Sequence, residues 1–127
     1  MRAVKRLSKD LIIELHALMA LKTGGGSGLR DAGLLESAAC SVFQSFGGSE
    51  LYPSLEEKAA RLGFALVGNH AFVDGNKRIG LLSMMTFMKL NGKPIKTDNE
   101  SLVQLGIALA SGELSYEELL CFIRENS

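Results

Sequence analysis

The sequence predicts an all-α fold, a single domain over residues 1–127 built as a compact bundle of about six helices with one short flap hairpin or loop. Three observations predict it. Apolar residues recur at helical spacing along most of the chain, capping signals open several of those segments, and no segment alternates convincingly as a half-buried strand would. With 46% hydrophobic residues and only two prolines, 127 residues suffice for one core and leave no room for a long disordered arm.

The first helix is expected over residues 8–22, where Ser8 can cap and Leu11, Ile12, Leu15, Leu18 and Met19 share one face. The glycine-rich segment TGGGSGLR, residues 23–30, reads as a loop, after which Asp31 can cap a second helix running through Ala38 and Val42. Residues 46–53, FGGSELYP, break helical periodicity with Gly47-Gly48 and end at Pro53, which predicts an exposed loop or short β-hairpin.

Ser54 and Glu57 stand at capping-box spacing and open a third helix to about Gly68. Ala59, Ala60, Gly63 and Ala65 are small enough there to let a neighbouring helix approach closely. The segment from Ile79 to Leu90 is apolar on nearly every side and stops at Asn91-Gly92, the pattern of a helix at the centre of a bundle. Thr97 or Asp98 opens a fifth helix, with Thr97 and Glu100 at capping-box spacing, and Ser115 with Glu118 opens a sixth.

Fourteen Lys and Arg balance fourteen Asp and Glu, so the chain lacks the overall basic field that drives generic binding to nucleic acid or anionic membranes. Any phosphate contact must be local. No apolar run reaches the ~20 residues of a membrane span, and the N-terminus lacks the pattern of a cleaved signal. Cys40 and Cys121 show no metal-ligand spacing and read as reduced core thiols, so a soluble protein of the cytoplasm is expected.

Residues 70–78, HAFVDGNKR, carry the densest chemistry. They lead into the buried fourth helix, whose first turn presents unbonded N–H groups and the positive end of the macrodipole. Gly75 would let backbone approach a phosphate, while Lys77 and Arg78 would add cations where a helix ordinarily favours acids. Asp74 is suited to hold Mg²⁺ against phosphate oxygens, and His70 is a residue type able to take a proton from a hydroxyl. Phe72 reads as the anchor of this loop. On the residues alone a second reading stands beside this one: a solvated interhelical loop with Asp74 or Asn76 as helix cap.

Other motifs carry less. GGGSG at 24–28 fails the G-x-G-x-x-G pattern because Leu29 takes the third glycine position, and Gly92-Lys93 is followed by Pro94, which excludes a P-loop there. His16 has no second histidine near it and reads as a satisfied packing residue, and the methionines at 84, 85 and 88 read as core filler.

HAFVDGNKR resembles the Fic/Doc superfamily motif H-x-F-x-[DE]-[GA]-N-[GK]-R at all seven of its specified positions, and Lys77 matches the death-on-curing (Doc) branch. GGGSGLRDAGLLESA, FGGSELYPSLEEKAA and FMKLNGKPI extend the likeness over about 110 residues. The resemblance implies a Fic-like bundle in which His70 is the general base for a target Ser or Thr hydroxyl. By the same likeness Asp74 binds Mg²⁺, and Gly75, Asn76, Lys77 and Arg78 form the phosphate loop. Gly47, Gly48, Ser49, Glu50, Leu51 and Tyr52 would be the flap that receives the target segment.

Fic nucleotidyltransferases carry glycine at the position of Lys77 and an arginine near the position of Leu81. The lysine implies the reversed ATP pose of Doc toxins and phosphorylation of an elongation factor, elongation factor Tu being the expected target. AMP transfer (AMPylation) is the alternative chemistry, and a non-catalytic antitoxin-binding co-repressor module the alternative class. Ala71 and Ile79-Gly80 depart from the common Pro and Thr-Ala, but no proposed catalytic group is lost. The inhibitory pattern [S/T]-x-x-x-E-[G/N] is absent, so restraint is expected from a separate antitoxin of a type II toxin-antitoxin system, through a disordered segment that folds onto the toxin.

Overall fold

The computed structural model describes residues 4–24 and 28–127, and in them six helices and one two-stranded hairpin. The helices are α1 Lys9–Thr23, α2 Ala32–Ser41, α3 Leu55–Asn69, α4 Asn76–Leu90, α5 Asn99–Ala110 and α6 Tyr116–Asn126, with strands β1 Ser45–Phe46 and β2 Ser49–Glu50 between α2 and α3. The all-α expectation holds. No helix of the described residues is long and apolar enough to cross a membrane.

Short polar side chains cap five of the six helices, α4 being the exception. Ser8 accepts from the Leu11 N–H, Asp31 from Leu34, and Ser54 and Ser115 each close a full capping box with Glu57 and Glu118. At α5 the choice left open between Thr97 and Asp98 falls to Asp98, whose carboxylate accepts from the Ser101 N–H at 2.6 Å. The Thr97–Glu100 spacing is therefore not the box that forms.

The bundle is organised on α3 and α4, its most extensively packed helix pair. Their backbones nearly touch: a Cβ on Gly80 would stand 3.1 Å from the Gly63 carbonyl oxygen and 2.5 Å from Val67 Cγ2. The small-residue expectation for α3 is met at Gly63, and Gly80 is its counterpart on α4. Around this pair, Leu62, Leu66, Ile79, Met84, Phe87 and Met88 form the centre of the core, closed by Ile12 of α1, Leu35 of α2 and Leu119 and Ile123 of α6. Burial on this scale, at roughly 25 cal/mol per Å² of apolar surface, is the main stabilising term.

Two packing expectations are corrected. The buried stripe of α1 is Ile12, His16 and Ala20, flanked by Leu11, Leu15 and Met19, while Leu18 is 59% exposed. Leu18 lies about 120° around the helix from Ile12, off the buried stripe. The cysteines are not core thiols: both are free and exposed, Cys40 donating to Glu36 and Cys121 to Glu125 one turn away. These acceptor carboxylates push both thiol pKa values up, away from reactive thiolate.

The hairpin pairs Ser45 with Glu50 and Phe46 with Ser49, and Gly47 and Gly48 have φ 59° and 83°. Positive φ at both central residues is what a type I′ turn requires, so Gly-Gly here is a turn signal with a mechanism. Lys58 of α3 ties the hairpin down: its ammonium, on a side chain 1% exposed, donates to the Tyr52 carbonyl and to Glu50 Oε1. Tyr52 in turn meets Tyr116 of α6 edge-on at 5.8 Å, and burial beside Glu57 pushes the Tyr116 phenol up to about 12.

Candidate active site

The loop from His70 to Gly75 joins α3 to α4 and is fixed from several sides. Its first residue ends α3 in the left-handed region, φ 54° and ψ 47°, a conformation L-residues adopt at a cost. The segment before α2 holds it there: Arg30 Nε donates to the His70 carbonyl at 2.7 Å, and the Arg30 and Asp31 N–H groups both donate to the Ala71 carbonyl. Further along, the Val73 N–H donates to the Gly28 carbonyl, and Leu29 and Phe72 form an isolated bridge. Residues 25–27 of the glycine-rich loop lie outside the described residues.

Inside the loop, Asn76 bonds Phe72 twice, accepting from its N–H at 3.0 Å and donating to its carbonyl at 2.9 Å. The Phe72 ring is 1% exposed and stacks flat on His16, with centroids 3.8 Å apart and planes at 7°. His16 Nε2 lies 2.7 Å from the Asp74 carbonyl oxygen. The packing-histidine expectation is half met: one ring nitrogen is bonded, and the buried Nδ1 has no hydrogen-bond partner among the described residues.

These restraints leave the functional groups facing a cavity. His70, Asp74, Gly75, Asn76, Lys77 and Arg78 line one pocket of about 640 Å³, together with Leu109 and Ala110 of α5. Gly75 is the N-cap of α4 with φ 78° and contributes no side-chain cap. Neither Asp74 nor Asn76 caps the helix, because Asp74 Oδ1 accepts from the Gly75 N–H and Asn76 is turned back to Phe72. The first turn therefore keeps donors for an external anion.

Charge agrees with that assignment. The first turn of α4 contains no acid, and among the described residues neither Lys77 nor Arg78 has an ion-pair partner. Lys77 lays its Cγ and Cδ against Gly106 of α5, where an added Cβ would come within 3.3 Å, and Leu81 packs on the same glycine. Thus a buried leucine, Leu81, stands near where the resemblance expects a second arginine in a nucleotidyltransferase.

Among the described residues no three His, Cys, Asp or Glu side chains cluster as an all-protein metal cage. The exposed Asp74 carboxylate, beside an uncapped helix terminus, suits the other mode of Mg²⁺ binding, in which one carboxylate, water and substrate phosphates share the ion. The hairpin residues Gly47 to Tyr52 do not line this cavity. Missed in the sequence were the supporting roles of Arg30 and His16, whose hydrogen bonds to the loop go to backbone carbonyls and which belong to no local spacing.

Fold and cavity together define a compact helical domain with a histidine, a carboxylate and an uncapped helix terminus on one loop. The Fic/DOC family profile matches residues 6–88, and the chain belongs to that family. It is 41% identical over 75 residues to the Toxin Doc of Mycolicibacterium smegmatis, a match covering 59% of this chain and 58% of that protein's length. It is 29% identical over 121 residues to the Protein kinase doc of Escherichia phage P1, covering 95% of this chain and 94% of the phage protein.

Proposed function

We propose that this protein is a Doc-type toxin that transfers the γ-phosphoryl group of ATP to a serine or threonine hydroxyl of a target protein, with elongation factor Tu as the proposed target. The carrying observation is the uncapped first turn of α4, with Lys77 and Arg78 unneutralised in the cavity that His70 lines. The name of the phage relative supports kinase chemistry.

In this reading His70 accepts the proton of the target hydroxyl as its oxygen attacks the γ-phosphorus and the bond to the β-phosphate bridging oxygen breaks, releasing ADP. The amides at the start of α4 and the Arg78 guanidinium bind the γ-phosphate oxygens. Asp74 would hold Mg²⁺, which when bound neutralises phosphate charge. Lys77 occupies the cavity wall toward α5 and Leu81 offers no cation, which supports the γ-phosphate rather than the α-phosphate at the cradle. Positioning and charge neutralisation supply most of the acceleration.

The hairpin is proposed as the flap that pairs with the target by main-chain hydrogen bonds. An apolar groove of about 570 Å³, lined by Leu81, Leu82, Met85, Leu102 and Val103, shares Lys77 and Arg78 with the cavity. It is the proposed seat of an antitoxin segment that folds on binding, with both partners in the cytoplasm. Incubation with a bacterial lysate and ATP labelled at the α or the γ position tests the chemistry. Label arriving from γ alone, and lost in His70→Ala, is expected. Label from α overturns the kinase reading in favour of nucleotidyl transfer, and no label from either leaves a non-catalytic binding module.

A further inference from the structure

We infer that His16 of α1 is a positioning residue that locks the orientation of the Asp74–Gly75 peptide, so that its N–H and not its carbonyl faces the anion cavity. The inference rests on the proposed role of that cavity.

A carbonyl oxygen only accepts, so the Nε2 that lies 2.7 Å from the Asp74 oxygen must carry the proton. The peptide is trans, and its carbonyl and N–H therefore point in opposite directions. With the carbonyl drawn inward to a fully buried imidazole, the Gly75 N–H is turned outward, where it meets the Asp74 carboxylate at 2.8 Å in the cavity wall. One hydrogen bond from α1 thus sets an N–H donor and a carboxylate together. Turned the other way, the peptide would aim a carbonyl dipole at the place where phosphate is to sit.

Two further observations make this a lock and not incidental packing. The ring is clamped flat against Phe72, itself bonded through Asn76, and α1 comes close to Gly75: a Cβ built there would lie 2.9 Å from Cε at the flexible end of Met19 and 3.3 Å from His16 Nε2. Glycine at 75 thus provides both the positive φ and the close approach of α1. Second, the buried Nδ1 has no hydrogen-bond partner among the described residues, so the imidazole is a costly choice for a purely packing position. A phenyl ring would fill the same space without an orphaned nitrogen; the donor at Nε2 is what the site retains.

The test compares wild type with His16→Phe, which keeps the stack and removes the donor, and His16→Gln, which restores an amide donor at similar reach. In the ligand-free protein, long-range ¹H–¹⁵N spectra should show His16 protonated at Nε2, and relaxation dispersion should find exchange broadening at Gly75 and Asn76 in the Phe variant only. The Phe variant is expected to melt at or above wild type. Its kcat for γ-phosphoryl transfer should fall about ten-fold or more with little change in KM for the target, and Gln should recover most of it. A Phe variant with wild-type kcat and no broadening overturns the lock, as does a Gln variant no better than Phe, or an Nδ1-protonated ring in wild type. Should wild type transfer no phosphoryl group, the proposed function fails, and the spectra of the ligand-free proteins still decide the role of His16.

Discussion

His70 holds a left-handed backbone without being glycine, and such strain persists only where neighbours over-determine it. Arg30 is the side chain that does so, reaching the His70 carbonyl from 40 positions away, and His16 reaches Asp74 from 58. That separation explains what the sequence could and could not disclose. His70, Asp74 and the residues proposed as the phosphate loop are legible because one helix terminus collects them in nine consecutive positions, whereas their supports bond backbone atoms and leave no motif. Arg30→Ala should therefore act on function more than on fold: a stability loss of about 1 kcal/mol in denaturant titration, with a larger proportional loss of transfer rate. Asp74→Ala should abolish transfer that depends on Mg²⁺; a mutant that keeps full activity would refute the metal role.

Helix starts were readable because capping is chemistry local to four residues, and the boxes at Ser54 and Ser115 form as their spacing predicts. Which side of a helix is buried depends on where its neighbours stand, and on that ground Leu18 and both cysteines were misplaced. Gly80 belongs to this scale. Its hypothetical Cβ would meet backbone atoms of Gly63 and Val67 at 3.1 Å, and backbone cannot swing aside as a side chain can. Gly80→Ala should cost about 1–3 kcal/mol by overpacking, against the ordinary gain of alanine in a helix. A variant as stable as wild type in chemical denaturation would show that α3 and α4 separate without penalty. The hairpin, too short to stand alone, depends on Lys58 in the same manner.

For the whole molecule, a formal net charge of zero removes long-range attraction as an organising force and leaves individual ion pairs to act locally. The pair of Lys93 and Glu56, at 2.8 Å, joins the segment after α4 to the first turn of α3, so it spans the helix pair on which the bundle is built. The Lys93 ammonium holds the Glu56 carboxyl below the usual glutamate range. Because the folded protein binds this proton less readily than the unfolded chain, the pair stabilises at neutral pH, and its contribution disappears as pH falls from the ordinary glutamate range through the lowered folded value. Lys93 is half exposed, so solvent screening limits the effect to under about 1 kcal/mol. Lys93→Ala should accordingly melt a little below wild type at pH 7, with the two melting curves converging under acid conditions. Curves that stay equally separated at every pH would assign the stabilisation to packing of the lysine stem and not to the pair.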